Sequence, residues 1–360
     1  MVDSLKRHWW KILSILILLY VFIAGFIVPL KPGVLSVSPL QIPTGQSSEL
    51  EIVAYNSHFD ETEEHHIEAY IKLDSIHILR ATETSIIGRK RIRSRFNIPN
   101  YLPNNETFSV GTLILYDPIH GYMVTPSAVT MIADSVAVAG IGSLGRWDNE
   151  IKVHDVPWRF AFPYRGILYE TIRNTFFHVA IWMAMFVLLI VSLIYSIKYL
   201  KGKSLEDDAV ASSFTQVAIG FGLIGMATGS VWAKTAWGAY WPNDPKLNMS
   251  VVALMIYMAY AILRSSFTGD DRRAQVSAAY NIFAFCAMIP LIFIIPRLTS
   301  SLHPGNGGNP ALGGEDLDNT LRMIFYPAII GLTLLGVWIS SLLYRVRKVE
   351  LKTIEQQLTN

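Results

Sequence analysis

Residues 172–197 read IRNTFFHVAIWMAMFVLLIVSLIYSI. Beyond Arg173 the only ionisable group of consequence in this run is His178, and the rest is almost wholly apolar. A bilayer crossing needs about 20 such residues, so the stretch predicts a transmembrane helix with a histidine near its start. Five further stretches predict the same, at 9–30, 214–233, 248–264, 277–296 and 323–344. The predicted fold is therefore a membrane all-α bundle of six transmembrane helices. Composition agrees: 51% of the residues are hydrophobic and 16% are charged, values that argue against a soluble enzyme. The net charge of +2 gives no reason to expect nucleic acid as a partner. The single cysteine, Cys286, cannot form an intramolecular disulfide, and no CxxCH is present for covalent haem attachment.

The first span follows a short basic start, Lys6 and Arg7. Its apolar core is longer than that of a signal peptide and no Ala-x-Ala site follows, so an uncleaved anchor is expected. Basic residues near short loops set the orientation. Lys6, Arg7 and Lys11 precede the first span; Lys198, Lys201 and Lys203 follow the second; Arg264, Arg272 and Arg273 follow the fourth; Arg345, Arg347, Lys348 and Lys352 follow the sixth. The other side offers Lys234, Lys246 and Arg297. Both termini are expected on the cytoplasmic side. The acidic SLEDD at 204–208 reads as an ordinary solvated loop.

Residues 31–165 are more polar and would lie outside the bilayer. Period-two apolar patterning at Glu49–Tyr55, Ile67–Leu73, Arg91–Asn97 and Thr107–Leu115, with turn signals LPNN and YDPIHG, predicts short strands. An inserted extracytoplasmic β-sandwich of immunoglobulin-like type is expected. Its His58, His65, His66, His77 and His120 are expected to be solvated, because the adjacent pair His65 and His66 would point to opposite faces of a strand. The division predicted is 1–30 first helix, 31–165 β-rich domain, 166–345 five-helix membrane domain and 346–360 cytoplasmic tail.

Within the helical part, residues 232–246 read WAKTAWGAYWPNDPK and are expected to form a loop. Trp232, Trp237, Tyr240 and Trp241 crowd four large aromatics into ten residues, together with Gly238, Lys234 and Lys246. An interfacial aromatic belt explains one or two such residues per helix end, not this density. Asp244 before Pro245 suits an N-cap with proline at the first helical position, with ligand contact as the other reading. A second outward loop, 297–320, carries His303 in a Gly- and Asn-rich context that is flexible unless something orders it. His178 and His303 thus face the same side, with Trp182 one turn beyond His178 and Asn174 one turn before it. Taken alone, His178 reads equally well as an interfacial histidine bonded to a backbone carbonyl.

The stretch TGSVWAKTAWGAYWPNDPKLNMS at 228–250 resembles the tryptophan-rich signature of the cytochrome c assembly family of haem-handling proteins. Arg173 with FFHVAIW, DDRR at 270–273 and LH before a glycine at His303 match the CcmC branch in order, from about residue 170 to 345. The resemblance implies that His178 and His303 are axial ligands of haem iron and that the tryptophan-rich segment is its platform. It implies haem b held non-covalently and transiently. It also implies a haem chaperone (CcmE-like), transporter subunits (CcmA- and CcmB-like) and a small membrane subunit (CcmD-like) as partners. Two departures stand out, Asn243 and the insertion at 31–165: Asn243 replaces the third tryptophan of the WGxxWxWD pattern, and the DPK after it is nearer the CcsA variant. The β-rich insertion has no counterpart in a typical CcmC, and its place before His178 suggests a docking role.

These residue types suit haem physically. Iron takes imidazole nitrogen on both faces, indoles cover a flat apolar disc with little entropy loss, and Arg173, Lys234 and Lys246 are cations expected to pair with propionates. No nucleophile–base pair, phosphate loop or HExxH is present, so binding and transfer are expected, not catalysis. A CcsA-type component of a haem–cytochrome c ligase is the first alternative. A membrane-anchored adhesion or sensor protein, with the β-domain as its active part, is the second.

Overall fold

The structure is a computed structural model. The residues described are 2–103, 106–133, 145–156, 158–303, 313 and 317–359. The chain forms two compact units, residues 1–28 with 170–360, and residues 29–169.

The first unit is helical. Its elements are α1 (Val2–Ile27), α2 (His178–Gly202), α3 (Leu205–Trp237), α4 (Pro245–Ser265), α5 (Asp270–Ile289) and α6 (Asn319–Thr359). Among the described residues, six helical spans are long and apolar enough to cross a membrane, which makes this a multi-pass membrane protein. A 3-10 segment, Tyr169–Phe176, leads into α2. After α5 the chain widens into a π turn at Pro290–Ile294 and tightens again at Ile295–Arg297.

Small residues let these helices approach closely. A Cβ added at Gly331 of α6 would sit 2.9 Å from Ile17 of α1, and nearby Ser14 Oγ donates to the Gly331 carbonyl at 3.1 Å. On α3, added Cβ atoms at Gly222, Gly225 and Gly229 would meet Leu254, Trp182 and His178 respectively. Polar side chains bond across the interior: Asn281 Nδ2 of α5 donates to Ser192 and Ser196 of α2 at 2.8 Å each. Ser192 Oγ in turn donates to the Ala211 carbonyl of α3 at 2.8 Å.

Helices that alternate in direction bring the start of α2, the α3–α4 connection and the segment after α5 to one end of the bundle. The opposite end is closed by ionic contacts. Asp208, 7% exposed, takes both guanidinium nitrogens of Arg264 at 2.8 and 2.6 Å. Arg347 of α6 donates to Ser212 and, at 2.9 Å, to Gln216 Oε1. Lys348 Nζ reaches Glu206 at 2.5 Å. SLEDD is thus no solvated loop. Glu206, Asp207 and Asp208 form the first turn of α3, where the unpaired amides of a helix start favour negative charge. Residues 346–359 likewise continue α6 in place of a separate tail.

The second unit is a two-sheet β-sandwich. One sheet orders its strands β1 (Gly33–Ser38), β3 (Ser47–Tyr55), β7 (Arg91–Asn97) and β6 (Glu83–Gly88). The other runs β2 (Gln41–Pro43), β9 (Gly121–Ile132), β8 (Phe108–Asp117), β4 (Glu68–Lys72) and β5 (Ile78–Arg80). All neighbours are antiparallel except β2 and β9. Alternate residues from both sheets meet in one core, including Leu50, Ile52, Ile71, Ile92, Phe96, Leu113 and Leu115. Gly121, at φ +79°, closes the YDPIHG turn between β8 and β9. His120 departs from the expectation of solvated histidines. Its side chain is 8% exposed and bonds the fully buried Asp117 through Nδ1 at 2.7 Å.

Candidate functional site

His178 is the first residue of α2, and α3 packs against it. Its Nδ1 lies 2.9 Å from the Gly225 carbonyl and 3.2 Å from Thr228 Oγ1. A carbonyl accepts only, so the Nδ1 facing it carries the proton and the lone pair falls on Nε2. Trp182 and Trp232 both present edge-on to the imidazole, with centroids 6.4 and 5.7 Å away. The Trp232 indole is held in turn, donating to Thr171 Oγ1 at 3.0 Å. Asn174, in the 3-10 segment, donates to the Thr228 carbonyl at 3.3 Å.

Gly229 is what makes this packing possible. A Cβ there would stand 2.5 Å from His178 Cε1, closer than real Cβ contacts allow. Gly229→Ala is therefore expected to displace the imidazole and lower helix-pair stability by about 1–3 kcal/mol. Thermal unfolding in detergent measures the loss. A melting temperature equal to that of the unsubstituted protein would sink this reading.

His303 is tied down by Asp244. The expectation of capping holds in detail: Asp244 Oδ1 accepts from the backbone nitrogens of Lys246 and Leu247 at 3.0 and 3.2 Å, with Pro245 at the first helical position. The same carboxylate does more. Oδ2 accepts from Ser301 Oγ at 2.8 Å and the Leu302 amide at 2.7 Å, while His303 Nδ1 lies 2.9 Å from Oδ1. Burial penalises the charge on Asp244, yet Ser301, the Leu302 amide and His303 outweigh it and hold the carboxyl below its ordinary range. Burial likewise draws the His303 imidazole below its usual range, with Asp244 opposing and Lys246 assisting. The Trp237 ring stands edge-on to His303 at 4.8 Å.

The expected tryptophan-rich loop is in fact helical as far as Trp237; α3 runs through it and ends at Gly238, in the left-handed conformation with φ +81°. The apolar stretch 214–233 stops short of that end because Lys234 and Thr235 interrupt it. Trp232 and Trp237 are thus five residues apart on one helix, about 7.5 Å along its axis, and each presents its indole to a different histidine. Tyr240 and Trp241 lie beyond, 60% and 40% exposed. Trp241 Nε1 donates to Asn248 Oδ1 at 3.2 Å, and Asn248 Nδ2 donates to Asn243 Oδ1 at 3.0 Å. Asn243 therefore braces Trp241 through Asn248.

The cations are placed differently from one another. Arg173 is turned away from solvent: Nη1 donates to the Gly25 and Val28 carbonyls, each at 2.7 Å, and Nε to Glu170 at 2.6 Å. Carbonyls at the end of α1 attract a cation, so Arg173 secures α1 and is not the outward propionate partner expected. Lys234 donates to the Gly238 carbonyl at 2.8 Å and sits over the Tyr240 ring at 5.6 Å. Lys246 is half-buried in the first turn of α4 and close enough to act on the charge of His178 and of His303. Of the expected 297–320 loop, 304–312 and 314–316 lie outside the described residues.

Residues 168–303, which hold both histidines and the four aromatics between them, match the family described as cytochrome C assembly protein. That segment of the helical bundle is similar to the cytochrome c assembly family. Among its relatives, heme exporter protein C of Bradyrhizobium diazoefficiens is 26% identical over 46% of this chain and 63% of its own length. Heme exporter protein C of Paracoccus denitrificans is 25% identical over 53% of this chain and 78% of its own. Cytochrome c biogenesis protein CcsA of a Synechococcus species is 33% identical over 24% of this chain and 28% of its own. The chain thus spans under two thirds of the length of the Bradyrhizobium and Synechococcus relatives.

The site also contains residues that the sequence did not single out: Thr171, Gly225, Thr228, Gly229 and Ser301. The glycines were legible in principle, because Gly222, Gly225 and Gly229 recur at helical spacing in one span. Ser301 and Thr171 act through partners 57 and 61 residues away, and no local pattern announces them.

Proposed function

We propose that this bundle handles haem b during cytochrome c maturation, holding it non-covalently between His178 and His303 and passing it on. One observation carries the reading: both histidines spend Nδ1 on a fixed acceptor within the protein, Gly225 O and the Asp244 carboxylate. That leaves Nε2 as the lone-pair nitrogen of each ring. Such second-sphere contacts orient metal-binding imidazoles and raise their basicity. The donor set fits haem: two imidazoles at one end of the bundle, with Trp232 beside one and Trp237 beside the other.

Haem is the cargo and brings the iron and porphyrin that maturation consumes. The chain's own residues do the rest. His178 opens a rigid helix and offers a fixed ligand, whereas His303 sits on a segment held by Asp244 and can leave when that contact opens. Trp182, Trp232, Trp237 and Gly238, with exposed Tyr240 and Trp241, form the apolar shelf. Lys246 and Lys234 supply positive charge for propionates. The chain performs no bond-making itself. By the distribution of basic residues, this end faces outward from a bacterial inner membrane and both termini are cytoplasmic. The recipient is a CcmE-like haem chaperone, with CcmA-, CcmB- and CcmD-like subunits as membrane partners. The sandwich, with sheet orders β1-β3-β7-β6 and β2-β9-β8-β4-β5, is read as immunoglobulin-like and serves as a docking module for such a partner.

Protein purified in detergent is expected to show a Soret band with a six-coordinate, low-spin spectrum. His178→Ala and His303→Ala should each convert it to a five-coordinate form that added imidazole restores. Spectra identical to the unsubstituted protein in both variants would remove the ligand assignment. A second reading, a CcsA-type ligase component, is favoured by the 33% identity to CcsA and by the DPK at 244–246. Co-purification with a CcsB-like membrane protein instead of CcmA- and CcmB-like subunits would select it.

A further inference from the structure

The segment HFDETEEHH, residues 58–66, puts three histidines and four carboxylates into nine residues of the β-sandwich. Sequence alone argued against a metal there, since neighbouring strand residues face opposite ways. The segment is not a strand. Glu64–His66 form a 3-10 turn, in which successive side chains diverge by about 120°, so His65 and His66 can share a side with Glu63.

The geometry points to a surface site for a divalent transition-metal ion at Glu63, His65 and His66. One ligand atom from each lies within 4.8 Å of the other two. His65 Nε2 is 3.3 Å, and His66 Nδ1 3.7 Å, from the same Glu63 carboxylate oxygen. Ligands at the usual 2.0–2.1 Å from a tetrahedral metal stand about 3.4 Å from one another. These separations already approximate that edge, and the two imidazole centroids are 4.0 Å apart.

The turn is pinned, so little backbone order has to be supplied by the ion. His66 N donates to the Glu63 carbonyl at 3.0 Å and Ile67 N to the Glu64 carbonyl at 3.1 Å. The Glu64 side chain accepts from Ile86 N of β6 at 2.9 Å, fastening the turn to the sheet. Asp60, Glu61 and Glu64 add negative charge without being needed as ligands. Two imidazoles and one carboxylate suit zinc, copper(II) or nickel(II) and not the oxygen-preferring magnesium or calcium. Three protein ligands on an exposed turn leave a coordination position for water or for a donor from another molecule. The site is therefore exchangeable and independent of the haem-handling reading.

Full-length protein, purified haem-free in detergent and stripped with chelator, tests this. Copper(II) titration is followed by electron paramagnetic resonance and zinc by calorimetry. One ion per chain is expected at this site, with coupling to two imidazole nitrogens. Loss of a mere supporting partner weakens metal sites 10–100-fold, so His65→Ala and His66→Ala should each weaken binding by more than about tenfold. Glu63→Gln should weaken it less and keep both nitrogen couplings. All three side chains are exposed, so the variants fold. Unchanged affinity and spectrum in the His65→Ala/His66→Ala double variant would overturn the assignment, as would uptake that never saturates, the mark of an adventitious ion only.

Discussion

Asp244→Ala is expected to release the chain around His303 and fray the start of α4 in one step. The carboxylate is wholly buried and serves two backbone amides of α4, Ser301, the Leu302 amide and His303. Losing an N-cap costs about 1 kcal/mol, and each buried donor left unpaired adds about 1–3 kcal/mol. With Ser301, the Leu302 amide and His303 all losing their acceptor, a total loss of about 4 kcal/mol or more follows, and on the proposed reading haem affinity falls with it. Hydrogen exchange separates the two effects. Asn caps a helix as well as Asp does, but its amide NH2 cannot accept from Ser301 and Leu302 as Oδ2 does. Asp244→Asn should therefore leave the first turn of α4 protected while the Leu302 amide exchanges faster. A Leu302 amide exchanging at the unsubstituted rate in both variants would contradict the tie. This measurement needs no haem, so it stands or falls apart from the ligand assignment.

The second large effect lies at the other end of the bundle. Arg264→Ala leaves Asp208 as a buried carboxylate without its bidentate partner. Breaking one side of such a pair costs about 3–5 kcal/mol, whereas removing both sides is often close to neutral. The single variant should lose most of its thermal stability in detergent, and Asp208→Ala/Arg264→Ala should regain much of it. Lys in place of Arg264 should restore only part, because an ammonium cannot make the fork of two parallel bonds. If the double variant melted no higher than the single one, the pair would not be what closes this end.

The six spans were legible because a bilayer imposes a length of apolar chain, and that requirement is written locally. Their ends were not. α3 begins nine residues before its apolar core, since Glu206, Asp207 and Asp208 look like loop residues yet suit a helix start. It also continues through Trp237, because Lys234 is accommodated by the Gly238 carbonyl at the helix end. In the sandwich, β3, β4, β7 and β8 announced themselves by alternation. Strands β1, β2, β5, β6 and β9 did not: two are three residues long and β9 contains Pro126, so their pairing is decided by neighbours far along the chain. The two histidines and the aromatics were readable as residue types. What fixes them was not, because Gly225, Thr228 and Ser301 reach them only after folding.

The length of α6 has a consequence of its own. Forty-one residues of helix extend about 60 Å, twice the roughly 30 Å of hydrocarbon in a bilayer. Even with ordinary tilt, several turns must emerge as a stiff post into water. The contacts of Tyr344, Arg347 and Lys348 with α3 brace its emerging base. Any push on the free end of that post is carried by a continuous helix into the packing of α6 against α1, α2 and α3.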